Sequence, residues 1–227
     1  MILSHKHKFI FIKTAKTAGT SIEIFLSRHC GEEDVVTPFG QEEPGHVPRN
    51  HQGFWNPFPE FFGAASQRLR VFTRFLKRRK FYNHMTASSV RFLVADSVWT
   101  NYYKFCVERN PWEKTLSHYH MMKEWKGEGF TMEKYFKRGK FPVNFPSYTC
   151  PRGTLMVDKV IKYECLKDGL SEVFGRLGIP FDGSLGVKAK SGFRKDRTPY
   201  QQVFNGEQRT ILDRVFRQEI DMHGYQF

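Results

Sequence analysis

The sequence predicts an α/β fold with a central, mainly parallel sheet flanked by helices. Three short apolar runs carry the prediction: Phe9-Ile10-Phe11-Ile12, Phe105-Cys106-Val107 and Val157 to Tyr163. Runs of this length between polar residues suit strands buried on both faces. A helical pattern follows each of them, and strands alternating with helices build parallel sheets. A length of 227 residues with 40% hydrophobic composition can bury the core of one domain spanning residues 1–227.

The first unit leaves its strand through Lys13-Thr14-Ala15-Lys16-Thr17-Ala18-Gly19-Thr20-Ser21 and enters an amphipathic helix that runs to about Arg28. Such a loop is an anion cradle. The N–H groups of the helix's first turn lack intrahelical partners, small residues admit a ligand, and hydroxyls and lysines add donors. In the second unit Glu108-Arg109 leads into Asn110-Pro111-Trp112-Glu113, with Asn110 as N-cap, Pro111 at the first helical position and Glu113 completing a capping-box pattern. This helix is expected to reach about Trp125. The third strand precedes Leu166, Leu170, Val173, Phe174 and Leu177 at helical spacing, with Gly178 and Pro180 as stops. Asn205 and Gln208 form another capping pattern before one last helix with Ile211, Leu212, Val215, Phe216 and Ile220 on its apolar face. His5 and His7 fall in a segment expected to fray. Residues 36–82, rich in Pro and Gly and ending in a basic run, read as an insertion or lid with one helix.

Lys and Arg outnumber Asp and Glu by 36 to 23, so the surface should attract polyanions, without choosing among them. The four cysteines lack C-x-x-C spacing, which argues against a zinc ribbon and for reduced thiols. No signal-peptide core is visible and no apolar run approaches the roughly 20 residues of a membrane helix. The expectation is a cytoplasmic protein without a membrane span.

The first loop departs from the G-x-x-x-x-G-K-[ST] loop of nucleoside triphosphatases, because Lys16 precedes Gly19 and no Gly-Lys-Ser/Thr follows. The residue that would hold magnesium is therefore missing, and no metal is predicted. Together with the separate block Arg109-Asn110-Pro111-Trp112-Glu113-Lys114-Thr115-Leu116-Ser117, the loop resembles the sulfotransferases that use 3′-phosphoadenosine 5′-phosphosulfate (PAPS) and release 3′-phosphoadenosine 5′-phosphate (PAP). His84-Met85-Thr86-Ala87, Val157 to Glu164 and the ending with Gly224-Tyr225 extend the likeness, which is to the Golgi-type carbohydrate branch in a short, unanchored form. Residues 36–82 match that branch least well.

The resemblance implies a P-loop-like version of the fold and a sulfuryl transfer from PAPS to an acceptor hydroxyl, with a carbohydrate acceptor. It implies that the first loop holds the 5′-phosphosulfate through Lys13, Thr17, Ala18, Gly19, Thr20 and Ser21. Lys16 is the leading candidate for charge on the leaving phosphate, with a solvated loop lysine as the plain alternative. Arg109, at a strand's C-terminal end, and Ser117, two turns into the helix, are expected at the 3′-phosphate. Lys114 replaces the arginine of many members, a change expected to matter little. His84 is the chosen general base, since an attacking hydroxyl must lose a proton; a structural capping histidine is the competing reading, and His46 and His51 are rivals. Arg194 and Arg197 lie in a basic loop where the family closes over the nucleotide, or are simply solvated. The basic run Arg68 to Lys80 reads as a solvated face unless the acceptor is anionic. Two other classes stay open: a kinase-like enzyme using ATP and magnesium, and a non-catalytic polyanion-binding module. Nucleic acid is not an expected partner.

Overall fold

The computed structural model describes residues 1–40, 43–61, 68–186 and 198–227. Strands β1 (Ile2–Ser4), β2 (Phe9–Ile12), β3 (Val35–Val36), β4 (Tyr103–Glu108) and β5 (Lys159–Lys162) form one sheet in the order β3-β1-β2-β4-β5. The described helices are α1 (Gly19–Ser27), α2 (Phe58–Phe61), α3 (Arg68–Leu76), α4 (Ala87–Leu93), α5 (Asp96–Asn101), α6 (Pro111–Lys126), α7 (Met132–Arg138), α8 (Phe145–Tyr148), α9 (Leu166–Arg176), α10 (Tyr200–Val203), α11 (Gly206–Val215) and α12 (Arg217–His223).

The sheet is mixed, not mainly parallel. The pairs β2–β4 and β4–β5 are parallel as expected, but β1 runs antiparallel to both β2 and β3. The terminus expected to fray is thus ordered: residues 2–4 form β1, and His5 and His7 lie in the turn that joins it to β2. The three residues of β1 are too few for a periodic signal, and long-range contacts hold it: Asp34 accepts from the His5 and Lys6 N–H groups and from the Ser4 hydroxyl, closing the β1–β2 turn. Those donors hold the Asp34 carboxyl below the ordinary range even though burial alone would raise it.

Alternation along each strand divides the core into two layers. Phe9, Phe11, Phe105, Val107 and Ile161 face α1 and α9, where Ile22, Phe25, Leu26, Leu170, Val173 and Phe174 complete the packing. Ile10, Ile12 and Cys106 face the other way, against Ala87, Val90 and Leu93 of α4 and against Tyr148. Close approach of α9 to the sheet depends on Gly169, where a Cβ would collide with the Ile161 side chain. This double coverage explains why β2 is apolar on both faces.

Three further expectations change in detail. The third strand is shorter than Val157 to Tyr163, because Tyr163–Cys165 turns as a 3-10 helix. The last helix is two: the Asn205–Gln208 capping box forms, but the helix ends at Phe216 (φ −101°, ψ 14°) and α12 starts anew, turning Glu219 into the interior. Residues 36–82 carry two described helices instead of one, and the part around His46 lies over α1. There Ser27 donates to the Gly45 carbonyl and Arg49 to that of Gly31. This cover buries Glu23, which an amphipathic surface helix would have left in water.

Candidate functional site

Parallel pairing of β2 with β4 matches Ile12 to Cys106, so the loops leaving both strands emerge side by side at the sheet's C-terminal edge. Ligands bind at this edge in open α/β sheets. Thr14 ties the loops together, its hydroxyl donating to the Val107 carbonyl and meeting the Thr17 hydroxyl at 2.8 Å.

The loop backbone is unusual. Lys16 (φ 63°) and Ala18 (φ 59°, ψ 16°) both lie in the left-handed region without being glycine. Left-handed residues at alternate positions curl peptide N–H groups toward a common centre. The helix α1 starts at Ala18 without a side-chain cap, so its first turn offers further N–H donors. Gly19 serves packing instead. A Cβ there would lie 2.7 Å from Lys13 Cγ, so the glycine makes room for the Lys13 stem.

The predicted ligands separate into two groups. Lys13 is buried, its ammonium 2.6 Å from Glu23 and 4.0 Å from the Phe39 ring centre. Burial raises the Glu23 carboxyl, but the Met1 amine and Lys13 outweigh it and keep the group below its usual range. Lys16 is half-buried and reaches toward α6, with Nζ 3.4 Å from Met121 Sδ. Arg109 donates to the Lys16 carbonyl at 3.4 Å and to Glu113 at 3.3 Å, with its guanidinium 4.3 Å from the Tyr163 ring centre. Ser117 lies half-buried on α6, the spacing 109, 113, 117 putting it on the same side as Glu113. Thr17 and Ser21 are buried, while Ala18 and Thr20 are half-buried. Arg194 and Arg197 lie outside the described residues.

His84 joins the same edge. It adopts a left-handed conformation (φ 56°), and its Nδ1 is 3.2 Å from the Lys13 carbonyl. A carbonyl can only accept, so Nδ1 carries the proton and Nε2 keeps a lone pair. Desolvation of the ring among its neighbours, aided by the Lys13 ammonium, pushes it down to about 4 and leaves it neutral at physiological pH, although the residue as a whole is exposed at the surface. Of the rivals, His46 stacks on Phe39 with ring centres 3.8 Å apart, and burial pushes it down to about 4 as well; His51 is lowered by burial and by Arg79. Thr86, not His84, caps α4, accepting from the Ser89 N–H, so the capping reading of His84 is set aside.

Beneath the loop lies a buried polar network that the sequence did not announce. Lys114, expected to matter little, is fully buried, 2.7 Å from Glu108 and 2.6 Å from Glu219. The Asn144 amide accepts from the Ala15 N–H at 2.8 Å and donates to the Ala15 carbonyl and to Glu108, each at 3.1 Å. Tyr148 donates to Glu108 at 3.0 Å and its oxygen is 3.0 Å from His223 Nε2. Burial and the nearby Glu108 raise the Glu219 carboxyl above the ordinary range despite Lys114. The available signal was charge interrupting apolar patterning: Glu108 ends a buried strand, and Glu219 sits three residues after Phe216. Among the described residues no cluster of His, Cys, Asp and Glu is arranged to hold a metal ion, and the four cysteines form no disulfide. No described helix is long and apolar enough to cross a membrane.

No protein-family model matches the chain. It is 30% identical over 118 residues to an uncharacterized protein of Archaeoglobus fulgidus, a match covering 49% of this chain and 98% of the archaeal protein. The match is shorter than the 129 residues separating Ala15 from Asn144, so it does not contain both. Over that shared half, the chain belongs to one family with this archaeal protein.

Proposed function

We propose that the protein is a PAPS-dependent sulfotransferase with a P-loop-like fold, acting on a hydroxyl of a carbohydrate acceptor in the cytoplasm. The observation that carries the reading is the convergence of Lys16, Arg109 and the neutral His84 on adjacent loops at one sheet edge. Two adjacent donor sets at that edge, drawn from separate loops, suit a ligand with two anionic groups. The loop between β2 and α1 supplies N–H groups and an ammonium, and Arg109 supplies a planar fork.

PAPS, when bound, supplies a sulfuryl group on a phosphate leaving group. Lys16 and the first-turn N–H groups of α1 would hold the charge that grows on that phosphate, where fixed donors outperform water. Arg109 would exchange its 3.3 Å contact with Glu113 for the ligand's second phosphate, for which a half-buried, weakly engaged guanidinium is suited. Nε2 of His84 would take the acceptor's proton, while the Lys13 carbonyl holds the ring in the required tautomer. Lys13 itself acts indirectly, through Glu23 and this carbonyl.

The test is a calorimetric titration with PAP in the presence of a chelator, beside one with ATP and magnesium. Metal-free binding of PAP supports the proposal. Binding of ATP with magnesium in preference to PAP would replace it with a kinase-like reading.

A further inference from the structure

The helix α3 has two apolar sides. Val71 and Arg74 are buried and Phe75 packs on the core, which accounts for the side facing the protein. Leu69, Phe72 and Leu76 recur at the i, i+3, i+7 spacing of the opposite side and are 76%, 48% and 64% exposed. Phe54, 66% exposed, neighbours this helix, its ring centre 6.4 Å from that of Phe75. A surface helix normally turns only one apolar stripe inward, and scattered single residues would need no explanation. Here the outward residues are regularly spaced on one helix.

The charge around them is of one sign. Residues 68 to 80 contain seven basic residues and no acidic one. Arg74 is accounted for by its 2.8 Å ion pair with Glu60 and by stacking 4.1 Å from the Tyr82 ring centre. Lys77, Arg78 and Arg79 are exposed at the end of the helix, with the Arg78 guanidinium 4.4 Å from the Phe54 ring centre. Long basic side chains beside exposed leucine and phenylalanine match a surface that is anionic outside and apolar just beneath. A nucleic-acid backbone would use the cations but leave the leucines without a partner. A protein interface core would be expected to exclude most of the cations.

We infer that α3, with Phe54 and the basic turn that follows, is a docking face for an anionic lipid bilayer, lying flat with Leu69, Phe72 and Leu76 inserted among the acyl chains and Lys77, Arg78 and Arg79 on the head groups. The inference is independent of the reaction at the sheet edge.

Flotation of the full chain with phosphatidylcholine vesicles, with and without phosphatidylserine, tests it. Binding should require phosphatidylserine and weaken with added salt. It should fall about tenfold or more in both L69S/F72S/L76S and K77E/R78E/R79E, whose substituted side chains are exposed and whose thermal midpoints should match the parent protein. No binding to phosphatidylserine vesicles would overturn the inference. So would full retention in the L69S/F72S/L76S variant, which would reduce the face to a general polyanion binder. A dimer by sedimentation velocity that becomes monomeric in that variant would assign the face to a second copy instead.

Discussion

The side-chain amide of Asn144 pairs with both backbone groups of Ala15, taking its N–H at 2.8 Å and giving to its carbonyl at 3.1 Å. A side chain here does what a neighbouring strand would do, and it holds the entry of the anion loop to the buried network below. Asn144→Leu takes this partner from both Ala15 groups and removes one of the three donors on Glu108 Oε1, which keeps Lys114 and the Arg109 N–H. It should destabilise the fold by about 2–4 kcal/mol in urea unfolding and loosen PAP binding in calorimetry. Equal PAP affinity in a folded Asn144→Leu protein would show that the loop holds its shape unaided.

Lys16 and His84 should separate by kinetics. Lys16→Ala removes the charge proposed to stabilise the leaving phosphate and should lower kcat by about 10²–10³. His84→Ala should lower kcat by about 10²–10⁴ while PAP affinity stays unchanged. Wild-type turnover in the His84 variant would remove it from the base role.

The three histidines pushed down to about 4 give a pH prediction with a definite sign. Burial pushes His46, His84 and His118 each to about 4, with Lys16 adding to the effect on His118. An unfolded histidine takes up its proton near pH 6.5. Their contribution to stability is therefore full above pH 6.5 and is lost as pH falls toward 4, because only the unfolded chain binds protons in that window. Histidine ring resonances followed by NMR should show all three still neutral at pH 5.5. A midpoint near 6.5 for His84 would show that its exposed side, and not its packing beside Lys13, sets its titration.

Lys114 offers the largest stability effect. Lys114→Met strands Glu108 and Glu219 together in the interior and should cost about 3–5 kcal/mol in denaturant unfolding. Adding Glu219→Gln should restore part of it, since that change removes one of the two unpaired charges.

A single methyl group tests the loop's packing. Gly19→Ala places a Cβ against the Lys13 stem, displacing a side chain whose far end is fixed on Glu23. Thermal stability and PAP affinity should fall together, and an unaffected Tm would show that Lys13 can move aside.

Local patterns were legible wherever one segment decides its own structure. The strand Phe9–Ile12, the caps at Asn110 and Asn205 and the stop at Gly178 all follow from near neighbours in sequence. The mixed sheet was not legible, because β1 and β3 offer three and two residues and are fixed by Asp34 and by pairing across the sheet. Near the candidate site, Lys16 and Arg109 stood out as cations after strand ends and His84 as a histidine ahead of a helical segment, and the structure brings the loops that carry them to one sheet edge. The roles of Lys114, Asn144 and Glu219 were not, since each is defined by a partner at least 75 residues away. Neither propensity nor periodicity carries that information.

The network beneath the loop also orders the events of folding. The β1–β2 hairpin closes over a few residues, whereas the contacts that floor the anion loop join Ala15 to Asn144 across 129 positions and Lys114 to Glu219 across 105. Closing long loops is entropically unfavourable and slow relative to closing a hairpin. A refolding chain should thus recover its far-ultraviolet dichroism before it can retain a nucleotide, and ligand capture becomes a clock for the final step of assembly.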